Sequence, residues 1–227
     1  MIALVIFDMD GLMLDSEKVA LDIWLSHFSD QPERTATDIF LETLGWNWSN
    51  TIAHLDAHYP GIDAIKMCRQ YKAMLIDHTR SEGVPLKPGL LELIDYLDRE
   101  RIPKCVATSA SRSSAEAILK KVEIYHRFGG HFYGDLVENG KPAPDLFLLA
   151  AKTMGVEPSN CVVLEDSPSG IRAAYAAGMI PIMVPDLLQP DTALRALIYR
   201  ECKSLHEVAA VLAQVHQDLG ERMGAKI

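Results

Sequence analysis

The stretch Ile2-Ala3-Leu4-Val5-Ile6-Phe7-Asp8-Met9-Asp10-Gly11 decides the fold. An apolar run that ends abruptly in two carboxylates spaced two apart and a glycine reads as a buried strand feeding a tight turn. Further apolar runs at Pro103–Ala107, Cys161–Leu164 and Ile180–Val184 are separated by helix-like stretches of ten or more residues. This alternation predicts an α/β fold, a parallel sheet with helices covering both faces. Such sheets place ligands at the carboxyl ends of their strands, which is where Asp8 and Asp10 fall. A lone Asp-Gly would read equally well as a solvated turn.

Residues 15–84 read differently. They contain no β-like run, whereas Leu21, Leu25 and Phe28, and later Ile65, Cys68, Tyr71 and Leu75, recur at helical spacing. The spacing predicts an all-helical insertion between the first strand and the rest of the sheet, returning through Ser81-Glu82-Gly83-Val84-Pro85. Core residues 1–14 and 85–227 would then carry a hinged cap of residues 15–84. The cap holds 6 basic and 11 acidic residues, so gross charge does not make it a phosphate trap. In the core, Leu90, Leu91, Ile94 and Leu97 predict a helix after Pro88-Gly89. Ser113-Ser114-Ala115-Glu116 fits a capping box, and Ser167 as N-cap with Pro168 behind it opens a helix that Gly178 ends. Ser204 to about Gln217 reads as a closing helix.

Composition narrows the function. The 227 residues are 48% hydrophobic, enough for a sizeable core, and 22 basic against 31 acidic residues give a net charge of −9 with no basic run. Nucleic acid is therefore a poor partner. The longest stretches without charge, Thr43–Leu55 and Ala173–Pro185, are 13 residues each and too short to span a bilayer. Ile2–Phe7 has no basic residues before it and does not read as a secretory signal, so the expected location is cytoplasmic. Cys68, Cys105, Cys161 and Cys202 form no C-x-x-C pair and are expected as reduced, mostly buried thiols.

The chemistry-bearing residues recur at predicted strand ends. Glu165-Asp166 repeats the acidic pair after Cys161–Leu164, so four carboxylates crowd one sheet edge. Like charges about 4 Å apart repel by roughly 4 kcal/mol at an effective dielectric near 20, and the cluster calls for a cation or a shared proton. An all-oxygen site suits Mg²⁺. Matching to a helix dipole explains one of these acids but not four. Thr108-Ser109 closes the strand Pro103–Ala107, where a hydroxyl and adjacent amides either bind a phosphoryl oxygen or merely cap a helix. Lys141, in Gly140-Lys141-Pro142-Ala143-Pro144-Asp145, sits in a turn stiffened by two prolines and so has a defined aim, if it is not a plain surface lysine.

Taken in order, these segments resemble the haloacid dehalogenase-like phosphotransferase superfamily, in its members with a helical cap after the first motif, such as β-phosphoglucomutase and sugar phosphatases. Asp8-Met9-Asp10-Gly11-Leu12 with Leu14-Asp15-Ser16-Glu17 is similar to the first motif, Thr108 to the second, Lys141-Pro142 to the third, and Glu165-Asp166-Ser167 with Gly170 to the fourth. The resemblance implies a Rossmann-like core and a Mg²⁺-dependent phosphatase working through an aspartyl phosphate. It makes Asp8 the nucleophile and Asp10 the general acid, with Thr108, Ser109 and Lys141 binding phosphate. Metal ligands would come from Asp8, Asp10 through its carbonyl, Glu165 and Asp166. The substrate would be a small phosphate ester, and the enzyme a monomer or weak dimer. A phosphoglucomutase-type reaction is the alternative, but those mutases need a basic residue in a cap loop and a histidine on the first cap helix. Here Gly45-Trp46-Asn47-Trp48-Ser49-Asn50 has no Arg or Lys, and the helix reads Lys18-Val19-Ala20-Leu21. Trp46, Asn47 and Trp48 are candidates either for stacking on a sugar or nucleoside or for packing the cap. His54 and His58, two ligands without a third, read as surface residues. A phospho-accepting signalling domain would be about half this length, without the insertion. An inactive binding protein ranks last, since no expected active-site residue is missing.

Overall fold

The computed structural model describes residues 1–27, 33–44 and 48–224. It divides into two compact units, Met1–Asp15 with Pro85–Ile227, and Ser16–Val84. The larger unit is built on β1 (Leu4–Phe7), β2 (Lys104–Thr108), β3 (His131–Tyr133), β4 (Cys161–Glu165), β5 (Ile180–Met183) and β6 (Arg200–Glu201). All pairings are parallel, in the order β3-β2-β1-β4-β5-β6. Each of β1, β2 and β4 is buried at every position. One set of alternating residues, Leu4, Ile6, Cys105, Ala107, Cys161 and Val163, packs with Leu146, Phe147 and Ala150 of α7 (Asp145–Met154) and Ala173 and Ala174 of α8 (Pro168–Ala176). The intervening set, including Val5, Phe7, Val106, Val162 and Leu164, is equally buried, so both faces are covered. Strands buried on both faces have no polar alternation, and these are apolar apart from their ends, where Lys104 and Thr108 bound β2 and Glu165 closes β4.

The two outer strands went unread in the sequence. β3 is only three residues, with Phe132 and Tyr133 buried, and β6 is two exposed residues, so both are too short to present an apolar run. At the helix after β2 the predicted cap is corrected by two residues. Ser111 is the N-cap of α6 (Arg112–Lys121), its Oγ accepting from Ser114 N, and Ser113 lies inside the helix. Glu116 does not reach back to the helix start; it binds Arg112 and Lys120 one turn away on either side. Those opposite charges hold its carboxyl near 2, with the Lys120 hydrogen bond the largest cause. The helix α5 (Leu90–Arg99) buries Leu90, Leu93, Ile94 and Leu97, whereas Leu91 is exposed. After the short helix α9 (Thr192–Arg195), the closing helix α10 runs Leu205–Gly224. All four cysteines are free and buried.

Among the described residues the smaller unit is all-helical: α1 (Ser16–His27), α2 (Glu33–Thr43), α3 (Trp48–His58) and α4 (Ala64–Ser81). Its centre is Trp24, whose indole N–H donates to Ala36 O at 2.9 Å and whose ring meets Tyr71 edge-on at 5.0 Å. Ile39, Phe40, Leu55 and Cys68 are buried with it. Of the apolar residues recurring at helical spacing, Ile65 is exposed, and its neighbours Ala64 and Met67 are buried. Phe28 lies outside the described residues. Among the described residues no helix is long and apolar enough to cross a membrane.

Candidate active site

The site forms where three adjacent strands end. β1 stops at Phe7, and Asp8 N donates to Leu164 O at 3.0 Å, tying the first residue beyond β1 to β4. The chain then turns on itself, with Met13 N and Leu14 N donating to Met9 O and Gly11 N to Leu14 O. Thr108 closes β2 and is buried; its Oγ1 accepts from Ala110 N at 3.0 Å, while Ser109 is exposed. Glu165 closes β4 with no exposed surface, and Asp166 follows it, buried.

Asp8, Glu165 and Asp166 each offer an oxygen within 4.8 Å of the others, a grouping able to hold a metal ion. The Asp10 side chain stands outside that set and is half-buried. Into this cluster reaches Lys141. Its ammonium donates to Asp8 Oδ1, to Glu165 Oε1 at 2.7 Å and to Ala107 O at 3.2 Å, and it lies 4.8 Å from the centre of the Phe147 ring. All three ammonium donors are used, and the side chain is 4% exposed. Burial works against the charged lysine, but Asp8 and Glu165 outweigh it and hold the ammonium above the ordinary lysine range. Asp8 shows the opposite imbalance. Its carboxyl is held above the ordinary carboxylate range, with burial the largest cause and Glu165 and Asp10 adding to it against the pull of Lys141.

Three buried carboxylates against one ammonium leave the site short of positive charge. A pair of unit charges 4.8 Å apart repels by about 3.5 kcal/mol at an effective dielectric near 20. Oxygen-only donors with excess negative charge fit a hard divalent cation.

Sequence reading anticipated Asp8, Lys141, Glu165 and Asp166, which meet here, and placed Thr108 and Ser109 at the same strand edge. It missed four contributors. The Ala107 carbonyl and the Phe147 ring that seat Lys141 carry no chemical signature in a sequence. Ser167 was read as a helix cap and as part of the fourth motif without a contact of its own, yet it holds Glu165, donating from N at 2.9 Å and from Oγ at 2.8 Å. Lys87 bridges Asp15 Oδ1 at 3.0 Å and Asp186 Oδ1 at 2.6 Å, partners 72 and 99 residues away that no local pattern links. That bridge pins the two segments where the chain leaves and re-enters the larger unit, which also pair through Asp15 N to Pro85 O and Lys87 N to Met13 O. Trp46 and Asn47 lie outside the described residues, as does the Trp48 side chain. His54 pairs with Glu42 and stacks on His58 at the surface of the smaller unit.

Buried acids and a fully engaged lysine at the carboxyl edge of a parallel sheet define a candidate active site of the α/β class. The chain belongs to the haloacid dehalogenase-like hydrolase family, whose model matches residues 2–178. It is 35% identical over 184 residues to the fructose-1-phosphate phosphatase of Escherichia coli (strain K12), covering 77% of this chain and 92% of that one. It is 28% identical over 175 residues to the phosphorylated carbohydrates phosphatase of Thermotoga maritima, covering 77% and 81%. A HAD family hydrolase from Deinococcus radiodurans R1, solved with bound phosphate and sodium, superposes with a TM-score of 0.78 at 27% identity, covering 93% of this chain and 95% of that one.

Proposed function

We propose that this protein is a Mg²⁺-dependent phosphatase of small phosphorylated metabolites, with a sugar phosphate as the substrate class. The observation that carries the reading is Lys141, driven between Asp8 and Glu165 at the edge of the sheet. An ammonium fixed beside one oxygen of Asp8 neutralises an incoming phosphate while leaving the other oxygen to attack. The names of the Escherichia coli and Thermotoga relatives support the substrate class.

In this mechanism a carboxylate oxygen of Asp8 attacks phosphorus, the phosphorus–ester oxygen bond breaks, and the leaving oxygen takes a proton from the Asp10 carboxyl. Water then attacks phosphorus, Asp10 takes its proton, and the phosphorus–Asp8 bond breaks to release phosphate and regenerate both side chains. Thr108 and the Ser109 backbone hold the phosphoryl oxygens throughout, and the nearby Lys141 ammonium neutralises their charge. Mg²⁺, held by Asp8, Asp166 and the Asp10 carbonyl, with Glu165 in contact directly or through water, would supply the positive charge the cluster lacks. Residues 15–84 are assigned as the substrate-selecting cap domain and residues 1–14 and 85–227 as the core domain, with Trp46, Asn47 and Trp48 as the candidate substrate contacts. The enzyme works in the cytoplasm as a monomer or weak dimer, and its four free thiols support a reducing compartment.

A phosphate-release screen over hexose phosphates, glycerol phosphate, nucleotides and phosphorylated acids, with Mg²⁺ and with chelator, tests this. Mg²⁺-dependent release from sugar phosphates, with no isomerised product from glucose 1-phosphate, supports the reading. Isomerisation without release, or release indifferent to chelator, overturns it.

A further inference from the structure

Glu165 is gripped from both ends. Its Oε2 accepts from Ser167 N and Ser167 Oγ, and its Oε1 accepts from Lys141. The Ser167 hydroxyl is itself shared, because Oγ also accepts from Gly170 N at 3.1 Å as the N-cap of α8. Its single proton goes to Glu165 and a lone pair serves the helix, so Ser169 Oγ, at 3.3 Å, acts as a donor to it.

Gly170 lies inside this helix, where glycine costs about 1 kcal/mol relative to alanine. The reason is overhead. A Cβ at position 170 would overlap Oε1 and Cδ of Glu165 outright. The carboxylate can occupy its place only because residue 170 has no side chain, and the oxygen that would be expelled is the one bonded to Lys141.

We infer that Ser167 and Gly170 are positioning residues for phosphoryl transfer, fixing Glu165 so that it aims the Lys141 ammonium at Asp8. Ser167 acts as the tether and Gly170 as the clearance. Neither touches the reacting atoms. The inference rests on the phosphatase reading for its effect on rate, but the linkage from Gly170 to Lys141 exists in the folded chain without catalysis.

The test separates capping from aiming. Ser167→Asp preserves a strong N-cap but sets a second carboxylate against Glu165, whereas Ser167→Thr keeps a hydroxyl able to donate and accept. With p-nitrophenyl phosphate and Mg²⁺, Ser167→Asp and Gly170→Ala are expected to lower kcat at least tenfold with KM changed less than threefold. Ser167→Thr should recover most of the rate that Ser167→Ala loses. Wild-type kcat in Ser167→Asp would show that capping is the whole role and overturn the inference. A separate readout needs no activity: urea midpoints in chelator for Gly170→Ala, Lys141→Met and the double variant. The double variant is expected at the midpoint of the worse single one, because both break the same link. Fully additive shifts overturn the inference even if the enzyme is active. A coupled cycle in a protein that hydrolyses no phosphate ester would retire the phosphatase reading while keeping the linkage. Should Gly170→Ala fail to fold, Ser167→Asp against Ser167→Thr decides alone.

Discussion

Lys141→Met removes the ammonium while keeping the aliphatic stem that packs on Phe147. Asp8 and Glu165 then face each other, 10% and 0% exposed in their side chains, with no bound cation between them. The Lys141–Glu165 contact at 2.7 Å is worth about 6 kcal/mol of gross attraction at an effective dielectric near 20, and the exposed repulsion within the acid cluster adds to its loss. The variant does not suffer this whole loss, because one carboxyl can take up a proton. Protonating an acid of ordinary pKa near 4 costs about 4–5 kcal/mol at about pH 7.5, which caps the electrostatic damage. That ceiling agrees with the roughly 3–5 kcal/mol expected for breaking a buried ion pair. The sign with pH follows from linkage. Lys141 pulls the Asp8 carboxyl down against burial, so without the ammonium the folded variant keeps a proton there to higher pH than the folded wild type does, and the stability gap between them narrows as pH falls toward about pH 5. Urea denaturation in chelator across that range, followed by far-ultraviolet circular dichroism, measures it. A gap below about 1 kcal/mol near pH 7.5, or one that does not change with pH, would refute the burial and pairing argued for Lys141.

Gly89 caps α5 at φ +89°, and a Cβ there would press on the His206 backbone at the start of α10. Gly89→Ala should therefore cost at least about 2 kcal/mol in urea denaturation, with a cost under about 0.5 kcal/mol contradicting the contact. Asp98 is held below the ordinary carboxylate range by its hydrogen bonds to Arg127 and Lys104. A carboxyl with a lowered folded pKa stabilises above its unfolded value of 3.8 and loses that stabilisation as pH falls through the folded one. Asp98→Asn should accordingly lower Tm near neutrality, and the difference from wild type should shrink as pH falls below 3.8; a difference that does not shrink there would contradict the pairing. Asp8→Asn, which removes the attacking charge at constant volume, should abolish turnover with its circular dichroism spectrum unchanged, and normal turnover would end the nucleophile assignment.

The parallel sheet was legible because β1, β2, β4 and β5 are buried strands whose side chains need be apolar on both faces, and Asp8, Lys141 and Glu165-Asp166 were legible because carboxylates and a lysine beside turns are chemically conspicuous. What stayed hidden was set by distance or by lack of chemistry. The Lys87 bridge joins residues far apart in the chain, the Ala107 carbonyl is backbone, and β6 exists only because Met183 O and neighbouring atoms of β5 offer it hydrogen bonds. Glu116 misled for a different reason. Its position three after Ser113 satisfies a capping pattern, but Arg112 and Lys120 lie one turn either side and compete successfully for its carboxylate.

The central claim is that Asp8 itself receives the phosphoryl group. Rapid quench during turnover of a sugar phosphate, reduction with borohydride and peptide mass spectrometry reads this directly, because a carboxyl-phosphate anhydride is reduced to the alcohol whereas a free carboxylate is not. The account predicts homoserine at position 8 in the wild type and none in Asp8→Asn. An active enzyme whose modification falls on another residue, or which carries none at Asp8 while intermediate accumulates, would contradict it.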